Sequence, residues 1–238
     1  MIFRQLFEPA SSTYTYLLAC PESGAAVLID PVAEMRDRDL RVLDELGLRL
    51  AYTLETHVHA DHVTGAAALR AATGCQSAGP AMDEIPCRDV GLREGEVLRV
   101  GTLEIHPLYT PGHTDSHHSY RVDTDSHQMV FTGDGLMIDG CGRTDFQSGD
   151  AATLYRSIHA KLFTLPDETL VYPGHDYNGR QVSTIGQEKR RNPRLAGKSE
   201  AEFVAIMAGL NLAYPQKIDV AVPGNLRCGE GPVQAAGA

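Results

Sequence analysis

The feature that most constrains this chain is the run from Thr56 to His62, where three histidines and one aspartate fall within six residues. It follows the apolar run Leu50–Leu54, which is predicted to be a strand. A loop after a strand lies at the carboxyl end of a sheet, where open α/β sheets bind their ligands. Imidazole and carboxylate are common ligands of zinc, iron and manganese. The pattern therefore predicts a metal site rather than a histidine-rich polar turn.

Three later loops repeat this arrangement, because each lies next to a predicted strand and carries a residue that can bind a metal. They contain His113, Asp134 and His175. Taken alone, His113 is typical of a turn histidine and Asp134 of a turn carboxylate. Four such loops in matching positions indicate one shared site.

The remaining pattern predicts a single domain over residues 1–238, built from two sheets that pack face to face with helices outside. Helices are predicted at Arg36–Leu46, Gly65–Thr73 and Ala151–Leu162, and Ser199 and Glu202 form a capping box that opens another. The stretch from Pro223 to Ala238 is expected to be loosely structured.

The acidic composition argues against a nucleic-acid partner, since the formal net charge is -10 at pH 7. The basic run Lys189–Arg191 is interpreted as a solvated helix face. No apolar run predicts a membrane span, and the N-terminus shows no signal-peptide pattern. The five cysteines are odd in number and lack C-x-x-C spacing, which favours reduced thiols and a cytoplasmic location.

The histidine run and the later loops resemble the metallo-β-lactamase superfamily, whose signature is H-x-H-x-D-H followed by His, Asp and His. The resemblance implies an α/β fold, the four-layer αβ/βα sandwich with two mixed sheets. It also implies two potential metal sites, with Asp134 between them. Their ligands would be His57, His59 and His113 for the first, and Asp61, His62 and His175 for the second.

Further motifs resemble the persulfide dioxygenase family within that superfamily. The motif Gly140-Cys141-Gly142-Arg143-Thr144-Asp145-Phe146-Gln147 is similar to that family's G-C-G-R-T-D-F-Q, and Tyr172–Tyr177 is similar to its Y-P-A/G-H-D-Y. The alternative is a glyoxalase II-like dinuclear hydrolase of glutathione thioesters. Such a hydrolase typically has Phe-Phe-Glu after the arginine and a longer helical tail than this chain.

The dioxygenase resemblance implies one Fe(II) per chain, bound by the catalytic residues His57, His113 and Asp134. This two-histidine, one-carboxylate set leaves positions for a persulfide and for O2. Glutathione persulfide would be oxidised to sulfite and glutathione.

Four other residues of the signature, namely His59, Asp61, His62 and His175, would orient the ligands and the substrate, or would be a vestigial second metal site. Tyr177 and Arg194 would bind the glutathione part of the substrate, although Arg194 could instead form a structural pair. The roles of Arg143, Cys141 and Cys228 stay open, as does the oligomeric state, with a homodimer among the options.

Overall fold

The structure is a computed structural model, and it describes residues 1–230. Its first sheet has six strands in the order β1-β2-β3-β4-β5-β6, antiparallel from β1 to β3 and parallel from β3 to β6. The strands are β1 Ile2–Glu8, β2 Thr13–Ala19, β3 Ala25–Ile29, β4 Arg49–Leu54, β5 Gln76–Pro80 and β6 Val90–Leu92.

The second sheet also has six strands, in the order β12-β11-β10-β9-β8-β7, and only β10 and β11 run parallel. The strands are β7 Leu98–Val100, β8 Leu103–Tyr109, β9 His118–Asp123, β10 Gln128–Gly133, β11 Leu170–Pro173 and β12 Ser183–Thr184. Both sheets therefore mix parallel and antiparallel strands.

The main core lies between the two sheets. Tyr16, Val27 and Leu54 of the first sheet pack in one cluster with Ile105 and Phe131 of the second, and all five are buried. Alternate side chains of β2 and β3 point the other way, as the two-residue period of a strand requires. Leu17 and Leu28, for example, pack beneath the helices on the outer face. This explains why β2 and β3 are apolar along their whole length.

Helices cover the outer faces of both sheets, which confirms the predicted four-layer sandwich. The helices are α1 Arg36–Glu45, α2 Ala66–Thr73, α3 Ala151–Ser157, α4 Ile185–Arg191, α5 Glu200–Ala208 and α6 Ile218–Asn225. A π-helical turn, Ile158–Leu162, continues α3. The capping box of Ser199 and Glu202 forms at α5 as predicted. No helix within residues 1–230 is long and apolar enough to cross a bilayer.

The C-terminal segment differs from the sequence prediction, because residues 218–225 form α6 although Pro223 lies inside it. Long-range contacts of this segment, described below, hold it in place. Residues 231–238 lie outside the described part of the chain. The prediction of reduced cysteines is also wrong for two of the five, since Cys87 and Cys228 form a disulfide. Their separation of 141 residues leaves no local spacing signal for the pairing.

Candidate metal centre

The histidine run follows β4, as predicted, and a buried aspartate from the neighbouring strand fixes its start. Asp30 follows β3 in the left-handed backbone region, at φ 50°, which costs a non-glycine residue energy and is common at functional sites. Its carboxylate accepts hydrogen bonds from Thr56 N at 2.7 Å and Thr56 Oγ1 at 2.8 Å. The Thr56 hydroxyl lies 2.8 Å from His57 Nδ1. Because that hydroxyl donates to Asp30, it accepts from His57 Nδ1, which leaves Nε2 to act as a ligand.

His113 is oriented in the same way by a backbone group. Its Nδ1 donates to the carbonyl of Arg143 at 2.7 Å, so its Nε2 can also bind a metal. Gly142 allows this approach, since a Cβ there would lie 2.8 Å from His113 Nδ1 and 2.4 Å from the carbonyl oxygen of Asp134. Gly142, the second glycine of the G-C-G motif, is therefore needed for close packing beside the site.

Asp134 follows β10 and places its carboxylate between two histidines. Its Oδ2 lies 3.5 Å from His113 Nε2, and its Oδ1 lies 3.5 Å from His175 Nε2. These distances are longer than a charge-assisted hydrogen bond. Oδ1 is buried, and within residues 1–230 it accepts no hydrogen bond. An unsatisfied buried carboxylate oxygen is costly unless a cation binds there.

The structure thus brings together His57, His113 and Asp134, hereafter the triad. One ligand atom from each lies within 4.8 Å of the other two, and all three residues are buried. Burial, followed by the neighbouring histidines, holds the pKa of His57 well below its usual value, which favours the neutral imidazole that metals bind. Two imidazole nitrogens and one carboxylate suit Fe(II), so the residues present fit that metal.

The His59 ring lies 4.1 Å from the His57 ring, centroid to centroid, but its Nε2 faces two carboxylates. Its Nε2 lies 3.1 Å from Asp30 Oδ1 and 3.3 Å from Glu55 Oε2. Burial opposes its charge, but these two carboxylates hold its pKa well above the usual value. In this structure the Nε2 of His59 therefore faces two acids, which favour its protonated form over the neutral form that a metal binds.

Asp61 and His62 are also paired with each other, at 2.7 Å between Asp61 Oδ2 and His62 Nδ1. The same oxygen accepts a hydrogen bond from Thr13 Oγ1 at 3.2 Å. Although burial raises the pKa of Asp61, His62 and His175 outweigh it and hold that pKa well below the usual value. We call His59, Asp61 and His62 the paired cluster; their ligand atoms also lie within 4.8 Å of one another.

His175 lies between the triad and the paired cluster. Its Nε2 is 3.5 Å from Asp134 Oδ1 and 3.6 Å from Asp61 Oδ2. Burial lowers its pKa, but the two carboxylates raise it above the usual value overall. It is therefore poised to carry a proton or to donate a hydrogen bond toward Asp134.

A cavity of about 600 Å3 opens over the triad, and both residues predicted to bind substrate line it. Tyr177 is 72% exposed, and its ring lies parallel to that of His175 with 6.1 Å between centroids. Arg194 is partly buried, and its Nη1 donates to the carbonyl of Cys141 at 2.7 Å. The structure therefore places Tyr177 at the rim and Arg194 on the wall.

Arg143 and Cys141 also line the cavity, but both have partners within the protein. Arg143 forms a two-pronged ion pair with Asp145 at 2.7 and 2.8 Å and donates to the carbonyl of Ala213. This geometry indicates a structural role for Arg143, which the sequence left open. Burial raises the pKa of the Cys141 thiol, which makes it a poor nucleophile.

Sequence reasoning gave no role to Asp30, Thr56 and Asn225, which hold the histidine run in place. The Nδ2 of Asn225 donates to the carbonyls of His59 and His62, each at 2.9 Å. No local pattern marks these residues, apart from the Asp30-Pro31 pair that ends β3. Asp30 and Asn225 are distant from the run in sequence, so only the fold shows their role.

The family model that matches the chain is that of the metallo-β-lactamase superfamily, over residues 9–175. The persulfide dioxygenase ETHE1 of Homo sapiens, a mitochondrial protein, is 50% identical over 230 residues, which cover 96% of this chain and 89% of the human protein. The hydroxyacylglutathione hydrolase of Methylococcus capsulatus is 41% identical over 177 residues, which cover 72% of this chain and 66% of the hydrolase.

Among solved structures, ETHE1 from Myxococcus xanthus is similar with a TM-score of 0.93 and 54% identity, covering 96% of this chain and all of that one. The similarity to the dioxygenases thus extends over nearly the whole of both partners. The similarity to the hydrolase leaves a third of the hydrolase unmatched.

Proposed function

Because this chain belongs to the metallo-β-lactamase superfamily and, within it, to the persulfide dioxygenase family, we propose that it binds one ferrous iron and oxidises glutathione persulfide with O2. Family membership makes the chain a persulfide dioxygenase, an oxidoreductase. The metal, its ligands and the thiol that carries the persulfide are the added parts of the proposal. One persulfide, one O2 and one water would give glutathione, sulfite and protons.

The observation that carries the metal assignment is the contrast between two groups of ligand-type residues. The triad has ligand atoms that face one another, with the buried Asp134 Oδ1 accepting no hydrogen bond among residues 1–230. The paired cluster neutralises itself, through His59 with Asp30 and Glu55 and through Asp61 with His62. Both nitrogens of His59 and the Nε2 of His62 lack a hydrogen-bond partner within residues 1–230, so the two groups differ in nearby charge rather than in unsatisfied atoms. A second metal would compete with the carboxylates that face His59 and with His62 for Asp61, which supports a single iron.

When bound, the iron would supply open coordination positions at which O2 could be reduced by electrons from the persulfide sulfur. The protein's own part is orientation. Thr56 and the Arg143 carbonyl fix the rings of His57 and His113. His175 lies 3.5 Å from Asp134 and can hold a proton beside it. Such outer contacts fix ligand orientation and tune a metal site.

The substrate would be held by its glutathione part in the cavity over the triad. Glutathione carries carboxylates, and a guanidinium pairs with a carboxylate through two parallel hydrogen bonds. Arg194 is the wall residue whose guanidinium is not already bound to a carboxylate, unlike Arg143 with Asp145. Tyr177, exposed at the rim, would contact the peptide as it enters.

A hydrolase of glutathione thioesters is the alternative, and it would need both metal sites. The paired cluster and the shorter match to the hydrolases favour the dioxygenase. A cytoplasmic location and a homodimer stay predictions from the sequence, and the Homo sapiens relative is mitochondrial.

Oxygen uptake tests the proposal directly. Anaerobically purified protein, loaded with Fe(II), should consume O2 with glutathione persulfide and release equal amounts of sulfite and glutathione. The same preparation should leave a glutathione thioester intact. Hydrolysis of the thioester by zinc-loaded protein, without persulfide-dependent oxygen uptake, would assign the chain to the hydrolases instead.

A further inference from the structure

The disulfide between Cys87 and Cys228 joins two parts of the chain that meet beside the histidine run. Cys87 lies in the loop before β6, and Cys228 lies in the turn after α6. The other three cysteines, Cys20, Cys75 and Cys141, are free and buried. All five cysteines lie within the described residues, so this is the single pair that the fold brings within bonding distance there.

The segment that carries Cys228 is joined to the histidine run by hydrogen bonds from the Asn225 side chain to the backbone of the run. Asn225 accepts a hydrogen bond from Thr64 N at 2.8 Å and donates to the carbonyls of His59 and His62. The carbonyl of Cys228 accepts from Ala67 N at 3.0 Å, at the first turn of α2. Residues 225–228 therefore close over the loop between β4 and α2.

The disulfide also packs against the loop from the side. Val58, which lies between His57 and His59, forms a small apolar cluster with Ile85, Val222 and the two half-cystines. This cluster is separate from the three larger cores. A small cluster of this kind depends strongly on each member, so the cross-link contributes much of its order.

The two sulfurs differ in their access to solvent. Cys228 is buried at 8% exposure, whereas Cys87 is half-buried. Arg70 donates to the carbonyl of Cys87 at 3.2 Å, and Arg88 follows it in the chain. Both guanidiniums are paired with carboxylates, Arg70 with Asp89 at 2.9 Å and Arg88 with Asp83 at 2.8 Å. The greater exposure of Cys87, rather than a free positive charge, therefore makes it the half-cystine that a thiolate or persulfide anion can reach.

We propose that Cys87 and Cys228 form a reversible redox site for small thiols and persulfides, which controls how firmly the histidine run is held. A thiolate attacks the Cys87 sulfur, the disulfide bond breaks, and Cys228 leaves as a thiolate that takes up a proton. A second thiol then releases Cys87, so two thiols become one disulfide while the protein gains two thiols. The reverse exchange, with a small disulfide as oxidant, closes the site again.

This inference deepens the proposed function, because the substrate and product of that reaction are a persulfide and a thiol. In the reduced state Asn225 loses the cross-link that positions its segment. The carbonyls of His59 and His62 are then held less firmly, and with them the loop that carries His57. The oxidised state is the one with the ordered metal site.

Thiol counting tests the site. Protein equilibrated with a glutathione disulfide buffer and then unfolded should show three thiols, and after treatment with excess glutathione it should show five. The Cys75→Ala control should lose one thiol in both states. Cys87→Ser keeps the buried Cys228 and should show four thiols in both states. Five thiols in the oxidised buffer would overturn the proposal.

Metal release tests the coupling without relying on turnover. Iron bound to the oxidised protein should pass to a strong chelator slowly. The reduced protein and Cys87→Ser should release the iron about 10-fold faster. This is in the range typical of the loss of contacts that orient metal ligands. Cys75→Ala should release it at the wild-type rate in both buffers. Equal rates for oxidised and reduced protein would make the disulfide a static cross-link and overturn the proposed control. If persulfide oxidation were absent while both redox responses appeared, only the proposed function would fail.

Discussion

The triad and the paired cluster lie side by side and contain the same kinds of residue, yet their surroundings give them different chemistry. In the triad, His57 and His113 give their Nδ1 hydrogens to neutral oxygens, so each ring keeps a neutral nitrogen for a metal. In the paired cluster, His59 and His62 face carboxylates. A carboxylate partner on one ring nitrogen is common among metal ligands, and His62 Nε2 makes no hydrogen bond within residues 1–230. His59 differs because its Nε2 itself faces the carboxylates of Asp30 and Glu55.

Removal of a triad residue is the strongest test of the difference between the triad and the paired cluster. His57→Ala, His113→Ala or Asp134→Asn should abolish iron binding and reduce oxygen uptake to background, because each removes one of three protein ligands. Metal analysis after gel filtration, together with an oxygen electrode, measures both. If Asp134→Asn kept its iron, Asp134 would not be a ligand.

Substitution of Arg194 tests whether this residue binds the glutathione part of the substrate in the cavity. Arg194→Ala should raise KM for glutathione persulfide by about 10- to 150-fold, since a charge-assisted hydrogen bond contributes roughly 1.5–3 kcal/mol. The turnover number should stay near wild type, as expected when ground state and transition state lose the same contact.

Arg143→Ala is the matched control for Arg194→Ala, because Arg143 lines the same cavity but is bound to Asp145 and to the Ala213 carbonyl. It should lower Tm more than it changes KM. An Arg194→Ala protein with unchanged KM and a clearly lowered Tm would show that Arg194 is structural.

The paired cluster is tested by His59→Ala. This variant should still bind iron, but with an affinity about 10- to 100-fold lower. A decrease of this size is typical when a residue that orients metal ligands is removed. Competition with a chelator of known affinity gives the value. Loss of iron as complete as in His57→Ala would mean that His59 is itself a ligand.

The smallest expected effect concerns how the free energy of unfolding of the metal-free protein depends on pH, to which His57 and His59 contribute in opposite directions. The pKa of His57 is depressed on folding, mainly by burial, so the unfolded chain takes up its proton first and stability falls as pH drops below about 6.5. The pKa of His59 is raised, so its contribution is complete below about 6.5 and is lost as pH rises through the folded value.

His57→Gln should therefore remove part of the acid-side loss of stability, and His59→Gln should flatten the loss on the alkaline side. Urea unfolding between about pH 5 and 8 measures both, with slopes of at most about 1.4 kcal/mol per pH unit for one group. Identical pH profiles for the two variants would remove the distinction between the clusters.

The sequence predicted the four-layer fold and the four loops because these depend on local patterns. The predicted strands and the capping box at Ser199 formed in place. Strands β5, β6 and β12 were not predicted. Strand β5 ends in Gly79-Pro80, a pair typical of turns, and β6 and β12 have only three and two residues. Helix α6 was missed because Pro223 disfavours a helix, and contacts from Asn225 and Cys228 overrule that local preference.

The candidate site was predicted as a set of residues but not as two groups. Spacing along the chain cannot show that His59 faces Asp30, which comes from another strand, or that Thr56 sits behind His57. For the same reason, the sequence did not predict the Cys87–Cys228 disulfide. These contacts join parts of the chain that only the tertiary fold brings together.

Anaerobic titration of metal-free protein with Fe(II) tests whether the triad forms a single iron site while the paired cluster binds no metal. Our account predicts binding that saturates at one iron per chain, in wild type and equally in Asp61→Asn, because Asp61 belongs to the paired cluster. Saturation at two irons per chain, with the second lost in Asp61→Asn, would contradict it and show that the paired cluster opens to form a second metal site.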